Sequence, residues 1–340
     1  STTVVFVDQM KPQELTQSLI DVVSHEFFHT LTPLNIHSEE IHNFEYNTPL
    51  MSKHLWMYEG TTEYFANLFQ INQGLIDEQN FYNRILEKLN YSKRYDDSMS
   101  FTEMSAGIVD EPFQTNYGNV YQKGALINMC LDIIIREQSG GERGILWVMQ
   151  NLAKRYGTEK PFKDDELIDE IITMTYPEVG LFFKTHVEGT KPIDYMEYFN
   201  KVGLTIGDAD VPLRSILFKD DQNPFFTPKP NDDGNVMYFV DGLNTTIKNM
   251  GVKKGDIFLG LDGKMIPEIK QENINEINAI FTSSFMWDDQ TEFSITIKRD
   301  DEIMTFNGIT GSPSAIVSGV INDPNATQKA ISLRNSWMKN

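Results

Sequence analysis

Two histidines, His25 and His29, stand four residues apart with Glu26 between them. On a helix that spacing projects both imidazoles from one face, within reach of each other. The flanking residues predict such a helix. Lys11-Pro12-Gln13-Glu14 is a start signal, with proline early and an acid in the first turn. Leu15, Leu19, Val22 and Val23 then fall on a broad apolar side that runs to about Thr30. Two neutral imidazole nitrogens on one face can share a metal ion, and zinc suits them while keeping a coordination position open. Glu26 adjoins the first histidine, so its carboxylate can reach a water on that metal without ligating the ion, the placement a general base needs. The same five residues also fit a helix with two hydrogen-bonded histidines and no metal, so a further ligand has to be found.

A third histidine six residues after His29 would complete one zinc pattern, but that position is Asn35. A glutamate about twenty residues on would complete another, but Thr48 and Pro49 stand there. The helix expected from His54 to about Gln73 carries Glu59 and Glu63, four apart, so both can face the first helix. Glu59 is read as the third ligand. Glu63, one turn on, is read as the acceptor for a hydrogen bond from a ligand imidazole, which fixes its tautomer. A solvated acidic pair is the alternative, and the apolar and aromatic flanks Leu55 to Tyr58 and Tyr64-Phe65 argue against it. His37, Glu39, Glu40, His42 and His54 compete as ligands. Most lie in the stretch 31–53, which reads as irregular, and nothing there holds them on one rigid face. His186 stands alone.

A hydrolytic metal site also needs a donor for the oxyanion. The segment Asn116 to Gly124 opens a long apolar helix and offers Tyr121, with Tyr117 four residues earlier as the substitute. Simple packing of either ring is the competing reading.

At 340 residues the chain is long enough for two or three domains. Its net charge of -20 argues against nucleic acid and anionic membrane surfaces, and no stretch is long and apolar enough to span a bilayer. The single cysteine, Cys130, excludes an internal disulfide and reads as a small buried apolar residue. Further helices are expected near 77–91, 118–138, 143–156, 163–174 and 192–201. After about Val202 the texture changes to short strand-like runs at 236–240, 256–261, 292–298 and 303–307, with a polar tail from about 318 that packs back or frays. Val4-Val5-Phe6-Val7 reads as a strand at the very start, which suggests that an upstream region is missing.

HEFFHTL at 25–31, LWMYEGTTEYFANL at 55–68 and YQKGALINMCLD at 121–132 together resemble the M61 family, the glycyl aminopeptidase group of gluzincin metallopeptidases. The related M1 aminopeptidases share its E-G and Y-x-K-G elements. The resemblance implies a mostly α, thermolysin-like catalytic domain in which Tyr121 is the transition-state tyrosine. Gly251 to Gly263 resembles the G-L-x-x-G-D-x-I-x-x-I-x-G core of a PDZ domain, which family members carry after the catalytic one. Family members also have an upstream β-rich domain, and many have a basic run after the HExxH helix. This sequence carries neither, which leaves substrate preference open.

The combined expectation is a multidomain chain of α and β structure. Residues 1–205 form the zinc peptidase domain, 206–315 a small mainly β PDZ-like domain and 316–340 a tail. One zinc ion per chain sits on His25, His29 and Glu59, with Glu26 and Tyr121 catalytic and Glu63 supporting a ligand. The substrate is a peptide or protein, and the PDZ-like domain is a candidate for a peptide ligand. An aminopeptidase in the periplasm or outside the cell is the leading reading. An endopeptidase of the same class, or a peptide-binding scaffold with a relic metal site, are the rivals.

Overall fold

The structure, a computed structural model, describes residues 12–338 apart from positions 214, 221, 222, 233 and 312. The strand expected at Val4 to Val7 lies outside the described residues. Helices α1 (Pro12–Phe28), α2 (Glu39–His42), α3 (Leu55–Asn72), α4 (Glu78–Ser92), α5 (Phe101–Ala106), α6 (Asn119–Ser139), α7 (Ile145–Leu152), α8 (Leu167–Met174), α9 (Pro177–Phe182) and α10 (Tyr195–Lys201) follow in chain order. The chain then passes through β1 (Leu204–Pro212), β2 (Phe226–Pro230), β3 (Val236–Val240), α11 (Thr245–Met250), β4 (Ile257–Leu261), β5 (Lys264–Met265), α12 (Ile274–Ser283), β6 (Glu292–Arg299), β7 (Glu302–Ile309), β8 (Ser314–Asn322) and α13 (Gln328–Met338). Two compact units result, one from residues 17–206 and 319 onward, the other chiefly from 207–318.

The helical unit is organised around α3 and α6. Helix α6 is buried along most of its length, with Val120, Leu126, Ile127, Cys130, Leu131 and Ile133 all closed to solvent. Cys130 is thus a core side chain, as its apolar surroundings suggested. Two polar side chains buried in α6, Asn128 and Asp132, are fully engaged, as burial demands. The Asn128 amide donates to the carbonyls of Trp56 and Gly124 and accepts from Thr61 Oγ1. Asp132 accepts from the Tyr64 hydroxyl, Arg136 Nε and the Ile145 amide. Capping side chains mark some of the helix starts: Asp77 caps α4, Ser100 caps α5 and Asp194 caps α10. Gly140, at φ 69°, ends α6 in the left-handed conformation that glycine adopts without strain.

Three expected helices begin later than the sequence suggested, at Ile145, Leu167 and Tyr195. In the second case Asp164 turns its carboxylate to Ser52 Oγ and the Lys53 amide instead of opening a helix. The short helices α2, α5 and α9 carry too few residues to show a period. The C-terminal residues expected as a tail belong to the helical unit: α13 buries Leu333, Trp337 and Met338 in its core. Trp337 Nε1 donates to the Tyr64 hydroxyl at 2.6 Å, and Arg334 Nη1 to the Gly203 carbonyl.

The second unit holds an antiparallel sheet in the order β2-β3-β4-β6-β7, with β5 on β4. Its core is aromatic and β-branched, including Phe225, Phe226, Phe258, Phe293, Ile295 and Ile297. The expected strands at 236–240, 256–261, 292–298 and 303–307 correspond to β3, β4, β6 and β7. Strand β2, with Pro228 and Pro230, has no alternating apolar pattern and was not legible. Arg299 grips Asp256 through Nε and Nη2, both at 2.7 Å.

Candidate metal centre

The last turns of α1 carry His25, Glu26 and His29 on the helix and the residue just beyond its end, and α3 carries Glu59 and Glu63. His25 Nε2 lies 3.3 Å and His29 Nε2 3.5 Å from Glu59 Oε2. The three atoms all fall within 4.8 Å of one another. Ligand atoms at the corners of a tetrahedron with zinc bonds of about 2.0–2.1 Å sit about 3.3 Å apart, so the spacing suits that ion.

The other ring nitrogens are already engaged. His25 Nδ1 donates to Glu63 Oε2 at 2.9 Å, and His29 Nδ1 to the Thr32 carbonyl at 3.1 Å. Each bond fixes the tautomer whose Nε2 lone pair faces Glu59. Thr32 can do this because the chain turns sharply after α1, with the Leu31 amide on Phe28 O and the Ile36 amide on Leu31 O. The donor set, the spacing and the orientation therefore all fit a metal held by two imidazoles and one carboxylate.

The electrostatics agree. Burial opposes charge on the His25 imidazole, but Glu59 and Glu63 outweigh it and raise its pKa to about 9. Burial likewise opposes the two carboxylates, yet hydrogen bonds from His25 and His29, donated through Nε2 when the imidazoles carry a second proton, hold Glu59 at about 2. His25 and Lys88 do the same for Glu63, at about 2. A ligating imidazole is neutral, so the carboxylates that favour a proton on it favour a metal cation in the proton's place.

Glu26, next to His25 on the same turn, is exposed. Tyr121, in the first turn of α6, places its ring 5.9 Å from that of His25 and its hydroxyl 3.1 Å from that of Tyr117. Burial and the nearby Glu59 carboxylate push the Tyr121 phenol well above its ordinary range, so it keeps its proton at neutral pH. Tyr117 is exposed, and its hydroxyl meets that of Tyr121.

The competing ligands go elsewhere. His37 Nδ1 donates to the Pro33 carbonyl, and its Nε2 accepts from His42 Nδ1 at 3.1 Å, with the two rings stacked. His54 Nε2 donates to the Asp164 carbonyl and its Nδ1 accepts from Trp56 Nε1. His186 Nδ1 donates to the Lys191 carbonyl. Glu39 and Glu40 sit on the short helix α2 beside His42. Among the described residues only His25, His29 and Glu59 converge as a three-ligand group.

Sequence reasoning did not identify three further contributors. Lys88 of α4 donates to Glu63 Oε1, and Asn67 Nδ2 donates to the Glu63 carbonyl at 2.8 Å. The Thr32 carbonyl is the third. A lysine among the other polar residues of an amphipathic helix and a backbone carbonyl carry no distinguishing signal.

Residues 18–127 match the family model of the M61 glycyl aminopeptidase. No curated protein matches the chain. Among solved structures, an aminopeptidase N family protein from Idiomarina loihiensis is similar at 19% identity and a TM-score of 0.57, covering 99% of this chain and 57% of that one. At that identity the likeness is one of fold. A PDZ domain of EpsC from Vibrio cholerae aligns with 25% of this chain at 22% identity and a TM-score of 0.18. The chain spans 57% of the length of the aminopeptidase N family structure whose fold it resembles, and His25, Glu26, His29, Glu59, Glu63 and Tyr121 all lie inside the segment matched by the M61 model.

Proposed function

We propose that this chain hydrolyses peptide bonds with one zinc ion held by His25, His29 and Glu59, and that it acts as an aminopeptidase. The observation that carries the reading is the convergence of three ligand atoms while both imidazole Nδ1 atoms are held by Glu63 and Thr32. The match of residues 18–127 to the M61 glycyl aminopeptidase model supports it.

Zinc in this site would supply Lewis acidity toward the scissile carbonyl and would acidify a water molecule. The protein's residues do the rest. Glu26 takes a proton from the attacking water and passes it to the leaving amine. Tyr121, kept protonated, donates its hydroxyl to the carbonyl oxygen as that oxygen gains charge. Glu63 and Thr32 hold the two imidazoles in the ligating tautomer. The second unit is proposed to be PDZ-like and to accept an extended peptide at a sheet edge. Its support is the segment Gly251 to Gly263, in which Gly251, Gly255 and Gly263 all adopt positive φ.

Metal analysis and peptide hydrolysis test the reading together. The parent is expected to bind one zinc per chain, and His29→Ala to lose both metal and hydrolysis. Glu26→Gln is expected to keep the metal and lose about 10²–10⁴-fold in rate. Undiminished hydrolysis by Glu26→Gln would remove the mechanism. The exopeptidase part is tested separately: if N-acetylated peptides are cut as fast as free ones, the endopeptidase reading replaces it.

A further inference from the structure

Glu63 is met from three helices. From α1, His25 Nδ1 donates to Oε2 at 2.9 Å. From α4, Lys88 Nζ donates to Oε1 at 2.5 Å. From α3 itself, Asn67 Nδ2 approaches Oε1 at 3.4 Å. The Asn67 amide is oriented by Arg84 Nη1, which donates to its Oδ1 at 3.0 Å and to Asp21 Oδ1 at 2.9 Å. The Lys88 side chain is only 14% exposed and Glu63 24%. The lysine also lines a small apolar pocket with Tyr64, Ile85, Leu126 and Met129. A half-buried ammonium there needs a specific partner, and its partner is the carboxylate that supports a metal-ligating histidine.

This arrangement poses a charge problem. A bare carboxylate behind His25 would add a full negative charge to a centre that already has Glu59. A bare ammonium in the same place would repel a metal cation. Joined by a short charge-assisted hydrogen bond, the two cancel while the second carboxylate oxygen still accepts from His25.

Building on the metal-centre reading above, we propose that Lys88 is the counter-charge of Glu63, so that the pair presents His25 with a hydrogen-bond acceptor of no net charge. Lys88 is then a positioning residue that sets the strength of metal retention through Glu63. Met is the natural replacement, because its thioether fits the apolar pocket beside the lysine stem.

Zinc affinity, measured by competition with a chromophoric chelator, reads the proposal without turnover. Glu63→Gln leaves Lys88 uncompensated and is expected to weaken zinc binding at least tenfold, in the range by which outer-shell changes act. Lys88→Met leaves Glu63 unbalanced and is expected to tighten it. The double variant replaces a neutral pair by a neutral pair and is expected to return close to the parent. A purely structural role for Lys88 makes the opposite prediction, with both single variants weaker and the double no better than Glu63→Gln. That result, or weaker binding by Lys88→Met in a folded protein, overturns the proposal. Circular dichroism reports folding, and Lys88→Gln carries the same cycle if Lys88→Met does not fold. A parent that binds no zinc sinks the metal-centre reading itself, whereas a zinc-binding parent without the rescue sinks only the role of Lys88.

Discussion

Gly60 of α3 and Gly124 of α6 meet backbone to backbone: a Cβ built on Gly60 would lie 2.5 Å from the Gly124 carbonyl carbon. Gly60 directly follows Glu59, and Gly124 lies one turn beyond Tyr121. The close approach of the two helices is therefore what brings the Glu59 carboxylate and the Tyr121 phenol to the same side of His25. The glycines in E-G and in Y-x-K-G are spacing residues of the scaffold that carries the proposed site.

Gly124→Ala tests this. In an open helix the change would stabilise by about 1 kcal/mol. Here the added methyl meets Gly60 Cα at 2.9 Å, backbone that cannot swing aside. Overpacking of this kind costs about 1–3 kcal/mol, so the sign reverses. The expected outcome is a lower denaturant midpoint together with reduced hydrolysis. An unchanged or raised midpoint would show that the helices part without cost.

Tyr121→Phe separates packing from chemistry. The ring stays, 5.9 Å from His25 in the parent, and only the hydroxyl is lost. Zinc content and thermal midpoint are expected to hold, while kcat falls by about 10²–10³, the usual cost of removing one oxyanion donor. Tyr117→Phe is expected to cost much less, because its exposed hydroxyl is held by that of Tyr121 and its ring is not the one against His25. Equal losses in the two variants would make the tyrosines a joint donor and not a principal one with a neighbour.

The site was legible because its chemistry is written at helical spacing. His25 and His29 are four apart, as are Glu59 and Glu63, so their faces follow from the 3.6-residue period alone. Its supports were not. Thr32 acts through a carbonyl, a group that every residue has, and Lys88 shares its helix with other charged residues, Glu78, Arg84 and Glu87, that nothing in the sequence sets apart from it. The strands at 236–240 and 292–298 announced themselves by β-branched and aromatic residues, whereas β2 hid behind Pro228 and Pro230. The C-terminal residues were read as a tail because they are polar overall. Their signal was positional: Ala330, Leu333 and Trp337 recur at i, i+3 and i+7, and all three are buried.

Trp337→Ala tests how firmly these residues pack back on the helical unit. The indole is closed to solvent, packs on Phe81 at a centroid distance of 5.3 Å and donates to the Tyr64 hydroxyl. That hydroxyl donates in turn to Asp132. Truncation leaves a large cavity and one fewer hydrogen bond in a buried chain, so a loss of about 3–5 kcal/mol is expected. Urea unfolding followed by far-ultraviolet dichroism reads it. A loss below about 1 kcal/mol, within the range of surface changes, would mean that α13 is dispensable.

His54 gives the helical unit a pH dependence with a definite sign. Its ring is buried, with Nδ1 accepting from Trp56 Nε1 at 3.1 Å and Nε2 donating to the Asp164 carbonyl at 2.8 Å. Both nitrogens are satisfied in the neutral form, and burial pushes the pKa below its ordinary value. The unfolded chain takes up a proton near pH 6.5, before the folded chain does. The unfolded state therefore binds more protons just below that pH, and stability falls as the pH drops. The contribution is complete above about pH 6.5 and declines toward the lowered folded pKa. Between pH 7.5 and 5.5 the parent is expected to lose more stability than His54→Gln, by at most about 1.4 kcal/mol at the lower pH. Gln keeps a donor and an acceptor but does not titrate. Equal losses in parent and variant would show that His54 takes its proton as readily folded as unfolded, against the hydrogen bond that Trp56 donates to its Nδ1.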